Sequence, residues 1–220
     1  LSRRHRILLG CGILAAGLYV AMTFAVGMLW ESYSLASHTI SELSAIGAPT
    51  RVLWTLLGTV YSLLLMGFGW SVRRSADHKR PQRVVGTLLM AHAAFGSFWP
   101  PMHQREVLAA GGGTLTDSLH VLWAAITGFL FMCETGFGAA MLGRRFRLYS
   151  LATMAIGLGC GAVTATYSSQ IQANLPTPWV GGWERISVVA YMLWIAVLAT
   201  ALLRTFRPAA SSDVRAVAIT

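Results

Sequence analysis

Charge is what this chain of 220 residues has least of. Asp, Glu, Lys and Arg make up 11% of it, against 55% hydrophobic residues, where a soluble domain carries about 25% charged residues. That is too little charge to clothe a surface in water, and it excludes disorder, which needs low hydrophobicity and high charge. Acids are the scarcest, eight against seventeen Lys and Arg. Cysteine is scarce too. Cys11, Cys133 and Cys160 stand in apolar stretches without CxxC spacing, so neither a disulfide framework nor a zinc ribbon is indicated, and they read as small buried hydrophobes. The seven prolines all fall outside the long apolar runs, which leaves each run free to stay helical.

Those runs are what the chain has in abundance. Six of them, Ile7–Trp30, Val52–Trp70, Val84–Trp99, Ser118–Leu142, Leu148–Tyr167 and Arg185–Leu203, come close to the roughly 20 residues that span a bilayer. They are too long and too evenly apolar for barrel strands, and only a helix satisfies its own backbone in lipid. The expected fold class is an all-α membrane protein, a six-transmembrane-helix bundle, with residues 1–206 as one domain and 207–220 as a short cytoplasmic tail. Arg3, Arg4 and Arg6 precede the first run as they would in a signal peptide. The run is about twice the usual 7–15 residues and no A-x-A site follows, so it reads as a retained span. Gly157 and Gly161 in the fifth run have the small-xxx-small spacing of close helix packing.

The basic residues give a direction. Fourteen of the seventeen fall in the two tails and in the second and fourth connections; only Arg51, Arg105 and Arg185 lie on the other side. Cytoplasmic loops carry such an excess, so both termini are expected in the cytoplasm of a multi-pass protein of the cell inner (plasma) membrane. The positive clusters flank helix ends, where they meet anionic lipid. Membrane lipids are therefore the expected partners, and nucleic acid is not. Nothing in the sequence points to a cofactor or to an oligomeric state.

The acids take the opposite face. Glu31, Glu42, Glu106, Asp117 and Glu184 are expected on the outer side, together with His38, His103 and His120. An outward-facing polar site that binds a lipid or small molecule is the leading expectation, with His38, Glu42, His92, Glu184 and Arg185 as ligand-binding candidates. An intramembrane metal-dependent hydrolase is the alternative. Its catalytic candidates are His103, Asp117, His120 and Glu42, the first three also as metal ligands, because imidazole and carboxylate suit zinc-like ions. Their spacing matches no short zinc motif, and whether the protein is an enzyme stays open.

Structural roles compete for the same residues. Thr39 and Glu42 have capping-box spacing for a short surface helix that Gly47 and Pro49 would end. Asp117 can cap the fourth span. Arg185, a cation at a helix amino end, needs a partner, with Glu184, Glu42 and Asp117 as candidates. His92 lies about two turns inside the third span. Glu134 follows Ser118 by sixteen residues, about 24 Å along a helix. It is therefore expected toward the cytoplasmic side, far from the outer cluster, as a neutral or snorkelling group or part of a proton path.

Three outer motifs carry a family resemblance. They are Thr39-Ile-Ser-Glu-Leu43 followed by Gly47-Ala-Pro49, then Trp99-Pro100 with His120 opening the next span, then Gly182-Trp-Glu-Arg-Ile186 followed by Trp194 and Arg204. In their order the chain resembles the bacterial and archaeal multi-pass membrane proteins known as domain of unknown function 998, from about the first span to Arg204. The resemblance implies about six helices and no established activity. Members often carry an aspartate soon after the proline that ends the third helix, where this chain has Pro101-Met102-His103. Membrane hydrolases related to alkaline ceramidases and adiponectin receptors also combine serine, aspartate and histidines at one membrane face. They need an HxxxH pair on the last helix, and Arg185–Leu203 has no histidine.

Overall fold

A computed structural model describes residues 3–76 and 79–205; the tail expected at 207–220 lies outside them. Among the described residues the protein is all-helical. Its helices are α1 (Arg3–Ala25), α2 (Arg51–Arg74), α3 (Arg80–Gly96), α4 (Arg105–Ala109), α5 (Leu115–Gly138), α6 (Arg144–Thr166), α7 (Ser168–Gln172) and α8 (Val180–Thr205), with 3-10 turns at Gly27–Leu29 and Ile40–Ser44. The six long helices are the six apolar runs, most of them beginning several residues earlier than the run. Helix starts are set by caps rather than by hydropathy. Thr114 and Asp117 form a capping box that starts α5 before its apolar stretch, and Pro81 sits in the first turn of α3, where its missing N–H costs nothing.

Five segments are long and apolar enough to cross a membrane: Arg3–Leu29, α2, α5, α6 and α8. Helix α3, with 17 residues, is shorter. Each long helix packs on the next, α1 on α2, α2 on α3, α3 on α5, α5 on α6 and α6 on α8, and α8 returns to α1. Short connections make such neighbours antiparallel. The tightest crossing joins α2 to α3. A side chain at Gly69 would run into the backbone at Met90 and Gly86, and one at Gly86 into the backbone of Arg73. In the fifth run Gly157 receives the Phe131 ring, whereas Gly161 faces open space, so only one member of the spaced pair is used for packing.

Leu9, Leu65, Phe68, Leu89, Trp194, Ile195 and Leu198 make the fully buried core. Trp194 lies over Gly138 and donates to Ser150 Oγ at 2.9 Å. Leu14, Val52, Leu56, Leu63, Phe129, Leu148 and Leu193 are exposed on the outside. A helix in water would be polar on that face; apolar on both faces, the bundle is a multi-pass membrane protein. The three cysteines are free, Cys160 buried and the other two half-buried.

Candidate functional site

A collar built from residues 30–50 sits at the ends of α1, α2 and α8. Its 3-10 turn Ile40–Ser44 begins with the expected capping box between Thr39 and Glu42, and Gly47 ends the segment at φ 87°, a conformation that favours glycine. Glu42 does more than cap. Its Oε2 accepts the Thr39 N–H at 2.6 Å and the Thr39 hydroxyl at 2.9 Å. Arg105, at the start of α4, then grips both oxygens, Nε to Oε1 at 2.5 Å and Nη2 to Oε2 at 2.8 Å. The same guanidinium donates to Thr177 Oγ1 at 2.7 Å and to the Ser37 carbonyl at 3.0 Å. One buried ion pair therefore ties the collar to α4 and to the approach to α8. No local pattern assigned Arg105 a role; its isolation from the fourteen basic residues of the tails and of the second and fourth connections was the available signal.

Arg185 does not take the carboxylate partner expected for it. Its Nη1 donates to the carbonyls of Leu35 at 2.7 Å, His38 at 3.1 Å and Gly181 at 3.1 Å, and its Nη2 to the Tyr33 hydroxyl at 2.6 Å. Backbone carbonyls at a tight loop supply the negative end here, since Glu42 is already committed to Arg105. Burial pushes the Tyr33 phenol above its ordinary range, with Arg185 pulling the other way, so the phenol stays protonated. Gly181 and Gly182 donate their N–H groups to the Ala36 carbonyl at 2.8 and 3.2 Å, and Glu184 Oε2 accepts the Ile40 N–H at 2.6 Å. His38 accepts the Ser34 N–H through Nδ1 at 2.9 Å and stacks on Tyr33. Of the ligand-binding candidates, His38, Glu42 and Arg185 are thus held in the collar.

The hydrolase candidates are only partly brought together. Asp117 accepts the His103 N–H at 2.6 Å through Oδ1, and its Oδ2 lies 2.9 Å from His103 Nδ1. His120 is turned elsewhere, its Nδ1 being 2.6 Å from the Pro100 carbonyl. Among the described residues no three or more of His, Cys, Asp and Glu are grouped to hold a metal ion. The expected triad of His103, Asp117 and His120 is not assembled, because Asp117 is occupied in capping α5 and fixing His103, while the chain reversal at Pro100 claims His120.

Beneath the collar lies a cavity of about 250 Å³. Tyr19, Trp54, Tyr61, Trp99, Trp123 and Tyr191 give it aromatic walls; His92, His120 and Glu184 are its ionisable lining groups. Ala124 and Gly128 line it yet remain exposed, so it is open rather than sealed. A carbonyl only accepts, so the contact with Pro100 places the proton of His120 on Nδ1. Its Nε2 is buried and, among the described residues, has no hydrogen-bond partner, an uncommon condition for a buried polar atom.

At the inner end of the cavity His92 Nδ1 lies 3.2 Å from Glu134 Oε1 and 3.2 Å from the Tyr191 hydroxyl, and that hydroxyl also donates to Glu134 Oε2. Glu134, expected far from the outer cluster, thus meets His92, the histidine that lies inside the third span. Helical side chains lean toward their own amino end. Helices α3 and α5 are antiparallel neighbours, so His92 leans inward and Glu134 leans outward until they meet. Counting residues from helix ends misses that convergence, and Tyr191, apolar to any hydropathy reading, gave no sign of joining them.

No match was found among curated proteins or among solved structures. The family model described as "Protein of unknown function (DUF998)" matches residues 13–201, a stretch from within α1 almost to the end of α8, and the chain belongs to that family.

Proposed function

We propose that the protein crosses the inner membrane six times, keeps both termini in the cytoplasm, and takes a small amphipathic molecule into the cavity from the outer side. The observation that carries the binding reading is the aromatic-walled cavity of about 250 Å³, with His92, His120 and Glu184 among its lining residues. Ligand sites are apolar concavities with a few placed polar groups. The topology rests on the count of basic residues and on α3 as the sixth crossing. At 17 residues α3 is about 25 Å long, and Phe98 and Trp99 extend it with apolar chain.

Filling the cavity tests the binding. Gly128 lines it, and a side chain there meets nothing within 4 Å. Gly128→Leu therefore occupies the space without a clash, and glycine is the poorer helix former. The small fluorophore 1-aminoanthracene, bright in apolar sites, is expected to bind the purified wild type and to lose about tenfold or more in affinity with Gly128→Leu, the loss of roughly 1.4 kcal/mol or more. Equal binding by both proteins would refute the cavity as the site.

Orientation is tested by labelling. Glu106 and Arg145 are both exposed. In spheroplasts a membrane-impermeant maleimide is expected to label Glu106→Cys above the background of the native cysteines, and to label Arg145→Cys only after lysis. The reverse pattern would overturn the topology.

A further inference from the structure

The lining of the cavity is one-sided in charge. Among the described residues it includes the carboxylate of Glu184 and no Lys or Arg. Glu184 uses Oε2 to hold the Ile40 N–H at 2.6 Å, and among the described residues Oε1 takes no hydrogen bond from the protein. The neighbouring cation, Arg185, is turned away toward Tyr33 and the collar carbonyls. A second carboxylate, Glu134, lies under the inner end, behind His92 and Tyr191.

The walls are rich in aromatic rings, the side chains that attract cations. Trp54, Trp99, Trp123, Tyr19, Tyr61 and Tyr191 surround the space, and the face of each ring is the negative end of its quadrupole. Cations held over such rings gain about 0.5–2 kcal/mol each, more when desolvated. The free carboxylate oxygen disfavours an anion, and a neutral apolar ligand leaves Glu184 without a counterpart. Gly58, Gly96 and Gly128 thin the walls between the rings, which makes room for a bulky head such as a substituted ammonium.

Resting on the cavity reading above, we propose that the ligand is an organic cation, an amine or quaternary ammonium group with a short apolar body. Glu184 supplies the countercharge and the aromatic rings enclose the head. Such a group comes either as a free amine or as the choline or ethanolamine head of a lipid.

The test uses the full chain in detergent and benzyltrimethylammonium as probe, read by calorimetry against its uncharged carbon isostere, neopentylbenzene. The cation is expected to bind about tenfold or more tightly than the isostere. Glu184→Gln keeps an oxygen for the Ile40 N–H and is expected to remove most of that preference, while an unchanged elution profile and melting temperature report an intact fold. With the preference established, displacement of the probe by dihexanoylphosphatidylcholine supports the lipid head as the source, and failure to displace supports a free amine. Equal affinity for cation and isostere overturns the cation proposal and leaves the cavity reading standing, as does cation binding unchanged in Glu184→Gln. Binding of neither cation nor aminoanthracene overturns both.

Discussion

Arg105→Met is expected to lower the melting temperature of the purified protein by roughly 10 °C. The Arg105 and Glu42 side chains are 6% and 4% exposed, and the guanidinium meets both carboxylate oxygens while also holding Thr177 and the Ser37 carbonyl. Removing one member of a buried pair strands the other and costs about 3–5 kcal/mol. In a chain of this size each kcal/mol is worth about 2–4 °C. Methionine keeps much of the arginine stem's volume, so the loss reports the charge and its hydrogen bonds rather than a void. The double variant Arg105→Met with Glu42→Leu is expected to recover part of the loss, because no charge is then left buried alone. Thermal scans by size-exclusion chromatography distinguish the outcomes. A single variant melting within about 2 °C of wild type would mean that the pair does not clasp the collar.

Much of the fold is legible in the chain because lipid imposes a simple rule. Every stretch of about 20 apolar residues without proline must be a helix, and the runs from Ile7 to Leu203 became α1, α2, α3, α5, α6 and α8. The residues at helix starts were harder to read from hydropathy, though the cap chemistry of Thr39, Glu42 and Asp117 was readable and is present. The short helices Arg105–Ala109 and Ser168–Gln172 carried no signal of their own. At five residues each they hold no periodicity, and they exist through contacts with one another and with the collar.

The candidate site was legible in its ingredients and not in its assembly. The concentration of acids and histidines pointed to one end of the bundle, and a cavity lined by His92, His120 and Glu184 lies beneath the collar. Which charges pair depends on distances across the chain. Arg105 reaches back 63 positions to Glu42, and Arg185 reaches 150 positions to Leu35. Hydropathy and local spacing are blind to such partners. The aromatic walls were equally hidden, since nothing local shows that Trp99, at the end of one apolar run, and Trp123, within the next, line one space.

Two adjacent glycines in the Gly181-Gly182-Trp183-Glu184-Arg185 motif are expected to respond very differently to the same change. A side chain at Gly181 would collide with the carbonyls of His38 and Leu35 and with Arg185 Nη1, whereas one at Gly182 has only the Trp179 ring near it, at 3.6 Å. The Gly181 requirement is one of space, because the collar backbone packs directly on α8. In Gly181→Ala the collar must withdraw, which weakens the N–H bonds from Gly181 and Gly182 to Ala36 and those from Arg185 to Leu35 and His38. Overpacking alone costs about 1–3 kcal/mol, and each weakened hydrogen bond adds about 1 kcal/mol, so the melting temperature should fall by roughly 10 °C or more. Gly182→Ala should be neutral or slightly stabilising, by about 0.4–1 kcal/mol, because alanine loses less chain entropy on folding. Ile40 and Glu184, the cavity's outer lining, sit on the two surfaces that this contact joins. Gly181→Ala should therefore also abolish 1-aminoanthracene binding, with Gly182→Ala leaving it intact. Equal behaviour of the two variants would show that the motif is not a docking surface for the collar, and the wall that Glu184 gives the cavity would need another support.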